Sequence, residues 1–212
     1  MVRVVSTGKR ADTLLEHMGR IEQFTLGRVW DDLTDDELFF EPVPNMWSVR
    51  RRGECMTGMP FGLGDWVVDF GRWGDAPEPM TTIAWLLWHM GSMPGRAVET
   101  EVFGGAHAYS SGWTSPYLTH HEIFTTADRA VEALREGWAS LRAAIEALDD
   151  EGFERRFARY TYGAGPKPDG VLAIGEPGPL HPATFFVVSI VNEVSHHGTQ
   201  ICVLRDLYAH RR

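Results

Sequence analysis

The chain has 212 residues, 43% of them hydrophobic and 23% charged, the balance of a soluble globular protein with enough length for a sizeable core. Its formal net charge of −9 gives no general attraction to phosphate backbones or anionic lipid surfaces, so neither nucleic acid nor membrane is an expected partner. The opening stretch Met1 to Arg10 lacks the apolar core of a signal peptide, and the longest strongly apolar run, Ile83 to Trp88, is far too short to span a bilayer; the expectation is a cytoplasmic protein.

Four long helices are predicted, joined by irregular segments within one domain over residues 1–212. The first runs from about Ala11 to Asp31, with Leu14, Leu15, Met18, Ile21, Leu26 and Val29 on one broad apolar face. Thr34-Asp35-Asp36-Glu37 opens a short helical turn, its acidic residues suited to the positive end of a helix. The stretch from Glu41 to Pro79 is rich in Gly, Pro and Trp; with Trp47, Trp66 and Trp73 it should fold back and pack, and short strands around Trp66 to Asp69 are an option outside the main prediction. The second helix spans about Met80 to Thr100, capped by Thr81 or Thr82 and kinked at Pro94. Ala106 to Phe124 is irregular. The third helix, about Thr126 to Leu148, repeats Val131, Leu134, Trp138, Leu141, Ile145 and Leu148 at spacings of three or four. Asp149 to Leu180 reads as turn-rich. The fourth helix starts near His181-Pro182 and ends near Ala209. The expected fold class is all-α, a four-helix bundle with long irregular connections.

The chemistry concentrates in the fourth helix. Glu193 and His197 lie one turn apart on one face. The stripe Phe186, Ile190, Glu193, His197, Ile201, Leu204 is apolar apart from these two, whereas the stripe through Ser189, Asn192, His196 and Thr199 is polar. His197 is therefore read as inward and His196 as an edge residue supporting it. A carboxylate and an imidazole within an apolar stripe need a partner, and a metal ion supplies one. His89, in Trp85-Leu-Leu-Trp88-His89-Met90 of the second helix, is the candidate third ligand. Three protein ligands leave open coordination positions, the pattern of a catalytic metal. The N/N/O donor set suits zinc, with nickel or iron as alternatives. On spacing alone, a hydrogen-bonded core histidine and a surface Glu–His pair remain open readings.

Other side chains carry weaker signals. Trp47, Arg50, Trp85 and Arg205 are candidate substrate-binding residues; the arginines would meet a carboxylate, or else close loops through ion pairs. Of the two cysteines, Cys202 reads as core filler and Cys55, in a loop, as the more accessible thiol. His120-His121-Glu122 reads as surface, His17 as a core-edge residue, and His107, His181 and His210 as solvent-facing. Phosphate-binding glycine loops, Cys-x-x-Cys pairs and nucleophile elbows are missing from the sequence.

Four segments, Leu33-Thr-Asp-Asp-Glu37, Glu41-Pro-Val-Pro-Asn-Met-Trp47-Ser-Val-Arg50, Thr82-Ile-Ala-Trp85-Leu-Leu-Trp-His89 and Asn192-Glu-Val-Ser-His-His197-Gly-Thr-Gln-Ile-Cys-Val-Leu-Arg-Asp-Leu-Tyr208, give the chain a resemblance to the DinB-like superfamily, which includes thiol-dependent S-transferases and mycothiol-dependent maleylpyruvate isomerases. The resemblance implies an up-down bundle with a nonstandard helix order and a metal triad between the second and fourth helices. Glu193 places the chain with the His-Glu-His branch, typical of actinobacteria, in keeping with eighteen arginines against only Lys9 and Lys167. It further implies a divalent metal that activates mycothiol or a similar low-molecular-weight thiol toward an electrophilic small molecule, and a homodimer. A non-catalytic, stress-associated metal-binding protein and a metal-dependent hydrolase are the alternatives.

Overall fold

The computed structural model describes residues 9–57, 60–62, 64–70, 79–91, 93–106, 122–166 and 172–211, with the side chains of 161–166 and 172–176 excepted. Trp73, His107, His120 and His121 lie outside the described residues.

The first helical stretch is α1 (Lys9–Ile21), a π-helical turn (Glu22–Leu26) and α2 (Gly27–Trp30). The π turn has a visible cause in the apolar stripe, which steps by three or four up to Ile21 and then by five to Leu26. One extra residue in the turn keeps Leu26 and Val29, both fully buried, on the inward face. The short helix α3 (Asp35–Leu38) starts with a reciprocal capping box: Thr34 Oγ1 accepts from the Glu37 N–H, and Glu37 Oε2 accepts from the Thr34 N–H at 3.1 Å.

The segment after α3 does fold back. It forms a small antiparallel sheet, β1 (Val49–Arg51) with β2 (Trp66–Val68), in the register Val49↔Val68 to Arg51↔Trp66. The second helical stretch is α4 (Ile83–Gly91) followed by α5 (Met93–Val98). Thr82 caps α4, its Oγ1 accepting the Trp85 N–H at 3.3 Å. Pro94 stands in the first turn of α5, where its missing N–H leaves no intrahelical bond unmade. The third stretch, α6 (Ala127–Glu146), is capped from a distance: Asp35 Oδ1 accepts the Ala127 N–H at 2.6 Å.

Between the third and fourth stretches the structure corrects the all-α expectation. After the short α7 (Asp150–Glu154), β3 (Arg156–Pro166) pairs antiparallel with β4 (Leu172–Pro182), where a turn-rich connection is predicted from sequence. Pro177 opposite Tyr160 and Pro182 opposite Arg156 are tolerated because each strand of a two-stranded sheet has an open edge. The register shifts three times along the hairpin. β4 leads directly into α8 (Ala183–Ala209).

The described residues are thus mostly helical, with two small sheets among them. α1 packs on α6, and the π turn and α2 pack on α8; α4 and α5 pack on the same two helices. α5 and α6 meet through glycines: a Cβ on Gly137 would stand 3.0 Å from the Gly95 nitrogen and 3.1 Å from the Gly91 oxygen. Every residue of α4 is buried, which places His89 at the centre of the helical layer rather than on its rim.

Candidate metal centre

His89 projects from α4 and is 4% exposed. Glu193 and His197 project from α8, one turn apart. The burial of α8 follows the stripe read from sequence: Phe186, Ile190, Ile201 and Leu204 are buried, Glu193 and His197 are intermediate, and Asn192, His196 and Thr199 are exposed. The three side chains converge, with one ligand atom from each lying within 4.8 Å of the others. Glu193 Oε2 stands 3.4 Å from His89 Nε2 and 3.2 Å from His197 Nε2. The two imidazoles meet edge to face, centroids 4.7 Å apart and planes at 83°.

These distances test whether a metal fits. Both ring nitrogens address the same carboxylate oxygen, and both separations exceed the usual N–H···O distance of about 2.9–3.0 Å. Ligands held at about 2.0–2.1 Å around a tetrahedral ion stand about 3.3 Å from one another. The two separations from Glu193 therefore match those of a coordination sphere, and with all three ligand atoms within 4.8 Å of one another the group could hold a metal ion. Its protonation suits that role. Burial pushes the His89 imidazolium down to about 4, helped by the neighbouring His197 and Arg96 charges and opposed by Glu193. The imidazoles of His197 and then His89, both within hydrogen-bond reach, hold the Glu193 carboxyl well below the usual carboxylate range, against the opposing effect of burial. At neutral pH His89 is thus a neutral lone-pair donor and Glu193 an anion, the forms that bind metal.

Neighbouring elements fix these positions. Trp85 lies on the His89 ring with centroids 5.5 Å apart, and its indole N–H donates to the Asp69 carbonyl at 2.9 Å. Asp69, fully buried, accepts at its carboxylate from Arg50 Nε at 2.7 Å, the Met56 N–H at 2.9 Å, the Ser48 N–H at 3.1 Å and the Cys55 thiol at 3.2 Å. Asp69 thereby ties the folded-back segment to the helix that carries His89. Sequence reasoning missed it; the available signal was Arg50, a charged residue among tryptophans in need of an anion. Gln200 was missed as well: His197 Nδ1 and Gln200 Oε1 are hydrogen-bonded at 2.7 Å. On the opposite side, Gly198 lets α8 approach the π turn, where a Cβ would lie 2.8 Å from the Thr25 methyl carbon.

The remaining predicted residues take these places. Trp47, 9% exposed, and Trp85, 1% exposed, belong to an aromatic layer with Phe61, Phe70 and Trp88. Arg50 also donates to Glu41 at 2.6 Å and to the Met46 carbonyl at 2.8 Å. Arg205 donates to Glu37 at 3.0 Å and to the carbonyls of Arg28, Asp31 and Asp32, so its guanidinium is directed to the end of the first helical stretch. Of these four residues, Trp85 is the one that lies against a ring of the triad. His196 is exposed and stacks on His197, centroids 4.8 Å apart and planes at 18°. Burial pushes the Cys55 and Cys202 thiols up, away from thiolate character. His17 and His210 are exposed, while His181 is half-buried against Phe185 rather than solvent-facing. Glu122 is exposed and pairs with Arg129. Among the described residues no helix is long and apolar enough to cross a membrane.

The sequence model of the DinB superfamily matches residues 20–201, most of the chain and all three members of the triad. Comparisons with curated proteins and with solved structures give no match. With a helical framework, a converged His89–Glu193–His197 set and a match of this extent, the chain belongs to the DinB superfamily.

Proposed function

We propose that the protein is a divalent-metal-dependent enzyme of the thiol S-transferase or isomerase kind, with His89, Glu193 and His197 as the metal ligands. The observation that carries this reading is the shared Glu193 oxygen, flanked by two imidazole nitrogens at 3.2 and 3.4 Å. Three protein ligands from two helices suit a catalytic centre with positions left for exogenous groups. Zinc is the favoured ion on the N/N/O donor set, with nickel or iron as alternatives.

A divalent cation bound there supplies the charge that stabilises a thiolate at neutral pH and polarises an electrophile beside it. The chain's own residues prepare the site. His89 is kept neutral by burial, Glu193 contributes one negative charge, and the Trp85 face holds the His89 ring in place. The aromatic layer of Trp47, Phe61, Phe70, Trp85 and Trp88 keeps water from that side, which strengthens every charge interaction at the centre. Glu193 is 42% exposed at its side chain, so the approach for small molecules is from the α8 side. The substrate pair in this reading is mycothiol, or a similar low-molecular-weight thiol, and an electrophilic small molecule. Of Trp47, Arg50, Trp85 and Arg205, Trp85 serves the site by backing the His89 ring. The reading is completed by a single up-down four-helix-bundle domain over residues 1–212, acting as a cytoplasmic homodimer with no nucleic-acid or membrane partner.

The test is to incubate zinc-loaded protein with mycothiol and a panel of electrophiles, halogenated arenes and cis-alkene diacids among them, and to follow thiol consumption for conjugation and product isomers for isomerisation. Metal-dependent conjugation or isomerisation that His89→Ala abolishes is expected. Zinc-loaded wild-type protein with no turnover across a broad panel contradicts the catalytic reading.

A further inference from the structure

His197 has two ring nitrogens, and only one can face the triad as a lone-pair donor. Its Nε2 stands 3.2 Å from Glu193 Oε2, while Nδ1 is 2.7 Å from Gln200 Oε1 on the next turn of α8. An amide oxygen accepts and does not donate, so the Nδ1 atom in this pair carries the proton. In neutral imidazole the other nitrogen is then bare. A bare Nε2 facing a carboxylate oxygen is a repulsive arrangement unless a cation lies between them. The opposite amide orientation would place the proton on Nε2, pointing it at Glu193 and blocking a ligand position.

We propose that Gln200 is the positioning residue that sets the His197 tautomer, holding Nδ1–H so that Nε2 is presented to a metal ion. The residue acts through His197 and does not touch the ion. His196 does not set the tautomer, since its exposed ring stacks flat on His197 with centroids 4.8 Å apart. Outer hydrogen bonds of this kind fix ring orientation, raise ligand basicity and typically carry about 10–100-fold in metal affinity. The proposal rests on the metal-centre reading above, since a cation between Nε2 and the Glu193 carboxylate is what favours the bare nitrogen.

Two measurements test the proposal. Nitrogen-15 NMR of the imidazoles in zinc-loaded protein is expected to show His197 bound through Nε2 with a slowly exchanging Nδ1–H, and Gln200→Leu is expected to lose that protection from exchange. Zinc affinity, read by competition with a chromophoric chelator, should fall about 10–100-fold in Gln200→Leu. Gln200→Glu, which keeps an acceptor at the same reach, should bind zinc at least as tightly as wild type. The melting temperature of the metal-free variants should stay close to wild type, since Gln200 is exposed and its bond is local. A purely structural role would move the melting temperature and leave affinity unchanged. Zinc-loaded wild-type protein with His197 bound through Nδ1, or undiminished zinc affinity in Gln200→Leu, overturns the proposal. If wild-type protein takes up no zinc, the metal-centre reading fails and the proposal with it; wild-type uptake with undiminished affinity in Gln200→Leu overturns the proposal alone.

Discussion

Acidification should destabilise the metal-free protein by charging His89. The imidazole is buried on α4 and its proton is held down from 6.5 to about 4, with burial the main cause, His197 and Arg96 adding repulsion and Glu193 opposing them. Because the folded value lies below the unfolded one, the unfolded chain binds the extra proton, and stability present above about pH 6.5 is lost as pH falls toward about 4. At about 1.4 kcal/mol per unit the full loss is roughly 3 kcal/mol, of which about 2 kcal/mol appears between about pH 7 and about pH 5. The Glu193 carboxyl is depressed too, so its own contribution persists to lower pH and does not blur this window. The assay is urea unfolding in the presence of a chelator, for wild type and for His89→Gln, which cannot titrate. Wild type should lose about 2 kcal/mol more than the variant between the two pH values. Parallel losses in the two proteins would refute the assignment of a buried neutral imidazole.

Gly137→Ala should lower stability by about 1–3 kcal/mol, because the new methyl meets backbone atoms of Gly91 and Gly95 that cannot move aside cheaply; an unchanged thermal midpoint contradicts the close α5–α6 crossing. Asp69→Ala should cost about 2–4 kcal/mol by leaving the Ser48 and Met56 N–H groups without their acceptor and removing one of the two carboxylates on Arg50, and should free the segment around β1 and β2 for rapid hydrogen exchange. Protection that persists there would show that the aromatic layer alone holds the segment. Arg205→Leu should lower the unfolding midpoint by the equivalent of about 2 kcal/mol while leaving zinc affinity unchanged, since its partners are Glu37 and the carbonyls after the π turn. The reverse pattern, with stability kept and ligand binding lost, would restore Arg205 to the site.

Periodicity carried the helices because burial on one face is what a helix sequence encodes most directly. Predicted bounds of about 126–148 and 181–209 stand within a few residues of Ala127–Glu146 and Ala183–Ala209. The same pattern held the mark of the π turn, the five-residue step from Ile21 to Leu26, which is plain once the extra residue is counted. The hairpin was hidden by its prolines and glycines, which normally argue against strands. Its readable half was Arg156–Tyr162, where Phe157, Tyr160 and Tyr162 favour an extended backbone. At the site, the direction of His197 followed from the apolar register of α8, and the convergence of His89 from the resemblance. Gln200 and Asp69 were not read because hydrogen-bond partners are set by side-chain direction, which residue spacing constrains only loosely.

The most direct test of the metal centre is elemental analysis of protein purified without added metal, beside His89→Ala, with circular dichroism to confirm that the variant is folded. About one divalent ion per wild-type chain, lost in the folded variant, is the predicted result. The same metal content in both proteins, or none in a wild-type protein that also refuses zinc on titration, would contradict a centre built on His89, Glu193 and His197.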